Sequence, residues 1–240
     1  MRTSNPALSP NTFTGFSYTD QAMTVQGAVN KSALLLLITI ISATSVWAVP
    51  GLSAIGIFAS IPAFILAVIT VFKQEWARIT TPIYALVKGL ALGSLSWMIH
   101  RVYPGLPVQA VVLTFGVFFS MLVAYRSGMI RATEKFMLGV AAATGGIAIF
   151  YMISWIISIF GVQNPLIHGS SLMAIGFSVV VVIIAALNLI FDFEFIQEGE
   201  RIGAPQHMEW YAAFSLMVTL VWLYMEILIL LMKLARRSQD

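Results

Sequence analysis

The chain has 240 residues, of which 59% are hydrophobic and only 10% are charged. Because soluble domains carry roughly 25% charged residues, this composition excludes an ordinary soluble domain and indicates an all-α integral membrane protein. The net charge of +3 gives no sign of nucleic-acid binding. The absence of cysteine excludes disulfides, thiol catalysis and thiolate metal sites.

Along the chain, a polar stretch is followed by a series of apolar segments. Residues 1–31 are polar and rich in turn-forming residues, so we expect an N-terminal tail followed by a seven-helix membrane domain at 32–240. An apolar run that begins this late does not suggest a cleaved signal peptide. With about 20 residues per span, the predicted spans are 32–49, 52–72, 79–99, 106–125, 137–160, 172–196 and 210–234. The first is short, so we expect it to lean or to begin before Ser32.

The distribution of lysine and arginine predicts the orientation, because inner loops carry the excess of basic residues. With the N-terminus inside, six basic loop residues lie inside (Lys73, Arg78, Arg126, Arg131, Lys135 and Arg201) and one, Arg101, lies outside. Basic residues near the C-terminus argue the other way. We therefore predict a cytoplasmic N-terminus and an outer C-terminus, with an even number of spans as the alternative.

The last predicted span contains one acid, Glu226, deep within its apolar sequence. A charged side chain in hydrocarbon costs roughly 3 kcal/mol or more unless it is paired or hydrated. Polar or aromatic residues precede Glu226 at intervals that place them on its helix face: Ser215, Thr219 and Trp222. We therefore expect this helix to pack among the others with that face turned inward.

A second ionisable residue, Lys88, lies in the middle of the third predicted span. It is about nine residues, or roughly 13 Å, from either end, which exceeds the comfortable reach of a lysine toward the membrane surface. We therefore favour an ion pair between Lys88 and an acid over extension of Lys88 to the surface. Gly89 and Gly93 form a small-residue face beside it, which we interpret as close helix packing.

Asp192 lies near the inner end of the sixth predicted span, with Asn188 one turn before it on the same face. Small or polar residues continue that face: Ser178, Val181 and Ala185. The face is consistent with an interior lining, and Asn188, Ser215 and Thr219 are candidate pore-lining residues. The alternative for Asp192 is an acid at the membrane interface that pairs with loop lysines.

The sequence contains no arrangement typical of an enzyme. The histidines are isolated, metal-site spacing such as H-E-x-x-H is absent, and no serine–histidine or serine–lysine pair is readable. We therefore name no catalytic residue and no cofactor, and we predict that the protein is not an enzyme.

Several stretches of the sequence carry a family resemblance. FDFEFIQ, which contains Asp192, and LYMEILILL, which contains Glu226, resemble the paired signatures of the Bax inhibitor family, the transmembrane Bax inhibitor motif proteins. MTVQGAVNKSALLLL, PIYALVKGLALGSLS and EWYAAFSLMVTLVWLY resemble its bacterial branch. The similarity covers most of the chain from about Met23.

The resemblance implies a fold, an activity and a set of site residues. The family fold is seven transmembrane helices with the last helix central in the bundle, and members are proposed to be pH-sensitive calcium leak channels. In them, acids at the end of span six and in span seven share a proton, and a basic residue after span two binds one of them. These positions match Asp192, Glu226 and Lys73 of this sequence, where the bacterial channels have Asp for Glu226 and Arg for Lys73. Asp192 and Glu226 are then also candidate ligands for Ca²⁺ as the transported ion.

Two partners for Glu226 remain open. From the rise per residue, Asp192 and Glu226 lie about 15 Å apart in depth, whereas Lys88 is nearly level with Glu226. An Asp192–Glu226 pair would share a proton and gate a cation path, because two close carboxylates cannot both ionise cheaply. A Lys88–Glu226 pair would leave no net charge at that level, which favours a structural or regulatory role.

Two classes of function follow. The first is a pH-sensitive calcium leak channel of the bacterial inner membrane, gated by the acids of helices six and seven. The second is a non-channel membrane protein that binds and modulates other membrane proteins, such as a quality-control protease, a role assigned to some bacterial relatives. In both cases the lipid bilayer surrounds the protein, and a transport assay distinguishes the two.

Overall fold

The computed structural model describes residues 22–49, 51–162 and 164–238. Within these ranges the regular structure is helical, apart from one isolated bridge between Ala22 and Pro205. The helices are α1 (Val25–Ala48), α2 (Leu52–Phe58), α3 (Ser60–Phe72), α4 (Ala77–Val102), α5 (Leu106–Arg126), α6 (Glu134–Ile159), α7 (Pro165–His168), α8 (Leu172–Arg201) and α9 (Met208–Arg237). The predicted all-α class is confirmed, while most of the predicted tail at 1–31 lies outside the described residues.

Among the described residues, six helices are long and apolar enough to cross a membrane: α1, α4 with the short turn before it, α5, α6, α8 and α9. They match six of the predicted spans. The first helix begins at Val25, because Thr24 caps it by accepting a hydrogen bond from the Gly27 nitrogen at 2.9 Å. The prediction that the first span begins before Ser32 is therefore confirmed.

The predicted span at 52–72 is wrong as a single long helix. It is divided at Ala59 into α2 and α3, and α3 alone is a shorter apolar helix. Pro62 contributes to the division, because it has no N–H to donate to the carbonyl of Phe58. Both short helices pack on α4.

The last helix, α9, is the most buried of the six long helices. Of its most apolar stretch 61% is buried, against at most 39% in any other candidate span, and it packs against α1, α4, α5 and α8. Leu223 and Leu228 of α9 are fully buried in the core that it shares with α5 and α8. This arrangement agrees with the expectation that α9 packs among the other helices.

Small residues bring α1 and α4 into close contact. A Cβ atom at Gly93 would lie 2.4 Å from the carbonyl oxygen of Ala43, and one at Gly89 would lie 2.6 Å from that of Thr39. A side chain at either position would therefore force the helices apart. The two glycines are packing residues, as the small-residue spacing predicted.

At the end of the bundle where α1 begins, here called the N-terminal end, the residues before α1 bind the connection between α8 and α9. The Met23 nitrogen donates to the Ala204 oxygen at 2.6 Å. Glu209, in the first turn of α9, accepts from the Thr24 nitrogen at 2.9 Å and forms an ion pair with Lys31. These contacts fix the start of α1 beside the start of α9.

Candidate functional site

The carboxyl group of Asp192 is buried between α8 and α9, where its side chain is 4% exposed. Its Oδ1 accepts a hydrogen bond of 2.5 Å from Oγ of Ser215. Thr219 lies one turn further along α9, and its hydroxyl donates to the Ser215 carbonyl oxygen at 3.2 Å. Oδ2 of Asp192 is buried and has no hydrogen-bond partner among the described residues. The site therefore holds a carboxyl group of which one oxygen is bound and the other is unsatisfied.

The residues Ser215 and Thr219 also line a cleft of about 440 Å³ between α3, α4 and α9. Tyr84 and Lys88, one turn apart on α4, line the same cleft, and Lys88 is the only charged side chain in its described wall. Lys88 forms no hydrogen bond or ion pair with any described residue. The cleft thus places Lys88, which has no partner among the described residues, beside Ser215, whose hydroxyl binds Asp192.

Glu226 forms a second buried acid site, further along α9, where its side chain is 3% exposed. The hydroxyl of Tyr151 on α6 lies 3.0 Å from both carboxylate oxygens. Nε1 of Trp222, one turn before Glu226, donates to Oε1 at 3.1 Å. The face of α9 that the spacing predicted is turned inward, but its residues bind two separate acids: Ser215 binds Asp192, and Trp222 binds Glu226.

The two acids do not meet in this structure. Ser215, the partner of Asp192, precedes Glu226 by 11 residues on α9, or about 16 Å along the axis. Among the described residues, neither Asp192 nor Lys88 forms a hydrogen bond or ion pair with Glu226. Lys88 lines the cleft beside Ser215, so the prediction that it is level with Glu226 is wrong. In this conformation Glu226 therefore pairs with neither of the two candidate partners, Asp192 and Lys88, that the sequence left open.

The two remaining predicted site residues are placed elsewhere. Lys73 caps the end of α3, is exposed, and forms no side-chain hydrogen bond or ion pair with a described residue. Asn188 lies one turn before Asp192 as predicted, but its Nδ2 donates to Oγ1 of Thr144 on α6 at 2.8 Å. Asn188 thus ties α8 to α6, and Lys73 does not reach either acid.

A buried cation, Lys233, was not selected as a site residue from the sequence. It is 5% exposed, and its Nζ donates to the Leu166 oxygen at 2.7 Å, the Ala174 oxygen at 3.2 Å and Oγ of Ser178 at 2.8 Å. These bonds tie the end of α9 to α7 and to the start of α8. Its spacing in the sequence could have identified it as an inward-facing residue, since Lys233 follows Glu226 by two helical turns on the same face.

The described residues do not form a resident metal site. No group of three or more His, Asp or Glu side chains among them is placed to hold a metal ion. Ca²⁺ takes about six to eight oxygen ligands, whereas Asp192 and Glu226 offer one carboxyl group each at separate levels. The two candidate calcium ligands therefore do not act together in this conformation.

Comparison with known protein families matches residues 5–236 to the family described as Bax inhibitor 1 like. The match covers nearly the whole chain and agrees with the resemblance carried by the acid-containing motifs. Members of this family are generally not enzymes. None of the curated proteins compared with the chain matches it significantly.

Proposed function

The chain belongs to the Bax inhibitor 1-like family, and on this premise we propose that it is a pH-sensitive leak channel for cations, with Ca²⁺ as the transported ion. The channel lies in the bacterial inner membrane with its N-terminus in the cytoplasm. In this proposal α2 and α3 form a seventh crossing together, since residues 52–72 extend about 31 Å as helix. The six basic loop residues at the N-terminal end of the bundle then face the cytoplasm.

The buried carboxyl group of Asp192 is the observation that carries the proposal. Its Oδ2 is enclosed without a hydrogen-bond partner among the described residues. Ionisation in this conformation would leave a charged oxygen unsatisfied, which costs about 3 kcal/mol or more inside a membrane protein. Separation of α8 from α9 would remove that cost by admitting water or a cation. Loss of the proton therefore favours the open form, and the leak rises as pH rises.

An apolar seam supports the interpretation of the described structure as the closed form. Between the levels of the two acids, α8 and α9 meet through Ala185, Leu189 and Leu223, none of which is exposed. A constriction lined by apolar side chains excludes hydrated ions. Asp192 lies on the N-terminal side of this seam and Glu226 on the opposite side. Opening must part the seam so that a cation can pass from one carboxyl group to the other.

Glu226 is the second carboxyl group on the proposed path. Tyr151 and Trp222 bind it, and in the proposed orientation it lies on the side of the seam that faces away from the cytoplasm. A cation that moves inward would meet Glu226 first and Asp192 second. Each carboxylate would replace part of the ion's hydration shell, which suits the preference of Ca²⁺ for oxygen ligands.

Calcium flux into proteoliposomes tests this function. The purified protein is reconstituted around a trapped calcium indicator, and uptake is followed from acid to mildly alkaline pH, with protein-free liposomes as the control. We expect uptake above the control that increases with pH. Uptake equal to the control at every pH would refute the channel.

The exposed surface of α6 favours a second function. Only 6% of its most apolar stretch is buried, and it packs mainly against α8. Trp155, which is 66% exposed, lies on this surface. Under this alternative, α6 binds another membrane protein such as a quality-control protease, and the chain modulates it. Co-purification with a membrane protease that Trp155→Ala abolishes, together with no Ca²⁺ uptake at any pH, would favour this function over the channel.

A further inference from the structure

Lys88 is a cation inside the membrane domain that has no partner among the described residues. It lies 11 residues from the start of α4, or about 16 Å along the helix, and its side chain is partly buried. It forms no hydrogen bond or ion pair with any described residue. An ammonium group at this depth is costly unless it is paired or hydrated. An anion bound beside Lys88 would offset that cost.

Tyr84 supplies a second unsatisfied donor to the same cleft. It precedes Lys88 by one turn and is 4% exposed, and its hydroxyl has no hydrogen-bond partner among the described residues. Buried tyrosine hydroxyls usually find one. The hydroxyls of Ser215 and Thr219 already donate, to Asp192 and to a carbonyl oxygen. The ammonium of Lys88 and the hydroxyls of Tyr84, Ser60 and Tyr211 are therefore the donors in the described wall that are left for a ligand, and those of Lys88 and Tyr84 lie one turn apart on α4.

The remaining wall of the cleft is largely apolar. Phe64, Ala67 and Val71 line it from α3, at the spacing of one helix face, while Phe214 and Val218 line it from α9. Its volume of about 440 Å³ lies within the range of roughly 300–1,000 Å³ typical of small-molecule sites. A bare inorganic anion would fill little of this space and would not use the apolar walls. An anion with an aliphatic tail would bind the donors with its charged group and would fill the space between the apolar walls with its tail.

We propose that the cleft between α3, α4 and α9 binds an aliphatic carboxylate of the fatty-acid class, with its carboxylate on Lys88 and Tyr84 and its tail along the apolar walls. Such a molecule reaches the site from the bilayer beside α3, where Phe64 is 71% exposed. The phosphate of a phospholipid keeps its charge and stays at the membrane surface, whereas a single-chain acid can enter hydrocarbon as the neutral acid and ionise beside Lys88. The site goes beyond the leak function and does not depend on it.

Equilibrium binding of labelled dodecanoate to the protein in lipid nanodiscs tests the site. Lys88→Met should weaken binding by roughly tenfold to a hundredfold, because a charge-assisted hydrogen bond is lost. Tyr84→Phe should weaken it by about three- to tenfold. The matched control is Lys135→Met, which removes an exposed lysine on α6 and should leave binding unchanged.

Methyl dodecanoate provides a test that needs no variant, because it keeps the tail and removes the charge. We expect the wild-type protein to bind the ester at least tenfold more weakly than the acid. Equal affinity for acid and ester, or equal affinity in Lys88→Met and the wild type, would overturn the proposal. Displacement of dodecanoate by inorganic phosphate would assign the cleft to a small anion and would also overturn it. If Lys88→Met fails to fold, Lys88→Arg keeps the charge and should retain binding.

Discussion

Replacing Tyr151 with phenylalanine should destabilise the protein, and the size of the effect measures the contribution of the Tyr151 hydroxyl's hydrogen bond to the buried Glu226. The Tyr151 hydroxyl lies 3.0 Å from both oxygens of Glu226. Its removal leaves Trp222, at 3.1 Å, as the remaining donor to Glu226 among the described residues. A hydrogen bond to a charged group contributes about 1.5–3 kcal/mol, and one between neutral groups about 0.5–1.5 kcal/mol. We expect Tyr151→Phe to lower the free energy of unfolding by about 2 kcal/mol.

The assay is reversible unfolding in mixed micelles, performed as a double-mutant cycle with Glu226→Leu. Because the two side chains contact each other directly, their effects should be non-additive, with a coupling of about 1–2 kcal/mol. Tyr125→Phe is the matched control, since the Tyr125 hydroxyl also lies within hydrogen-bond distance of a glutamate, Glu194, at 2.7 Å, and of Gln197 at 2.7 Å, but at the more exposed end of α8. It should cost less than Tyr151→Phe. Additive effects of Tyr151→Phe and Glu226→Leu would refute the assignment of Tyr151 as the partner of Glu226.

Further variants test the packing and the anchoring of the bundle. Gly93→Leu should force α1 away from α4 and cost about 3 kcal/mol in the same unfolding assay, whereas Gly116→Leu, with open space around its Cβ position, should change stability by about 0.5 kcal/mol at most. Glu209→Gln should weaken the anchoring of the residues before α1 and speed their cleavage in limited proteolysis; an unchanged rate would show that other contacts hold them. Lys233→Met removes the three hydrogen bonds that Nζ donates to buried oxygens and should cost about 2 kcal/mol, while Arg237→Met, one turn further on and exposed, should be neutral.

The long helices follow from the sequence because only a helix satisfies the backbone of a single segment in lipid. Apolar length alone therefore located the ends of six spans to within about five residues, apart from the start of the first, which lies seven residues earlier in the structure. The division of residues 52–72 was not predicted, because apolar length does not record where a helix is interrupted. The start of α1 at Val25 depends on the Thr24 cap, which lies in polar sequence before the apolar run.

For the candidate site, the sequence predicted which residues share a face of one helix, but not which residues of different helices come into contact. Helical spacing correctly placed Ser215 and Glu226 on one inward face of α9. Spacing within α9 does not reveal which neighbouring helix lies beside each residue. The contacts of Ser215 with Asp192 and of Glu226 with Tyr151 therefore could not be predicted, because they depend on packing between helices. The rise per residue already separated Asp192 from Glu226 by about 15 Å, close to the roughly 16 Å along α9 in the structure. Lys233 was missed because its acceptors belong to elements distant in sequence.

Calcium uptake as a function of pH in Asp192→Asn proteoliposomes tests whether ionisation of the buried Asp192 carboxyl group opens the path. Asparagine has nearly the shape of aspartate but does not ionise, so the variant separates charge from packing. We expect wild-type uptake to rise with pH and uptake by Asp192→Asn to be independent of pH. Uptake by Asp192→Asn that rises with pH as in the wild type would contradict the claim that ionisation of this buried carboxyl group opens the path.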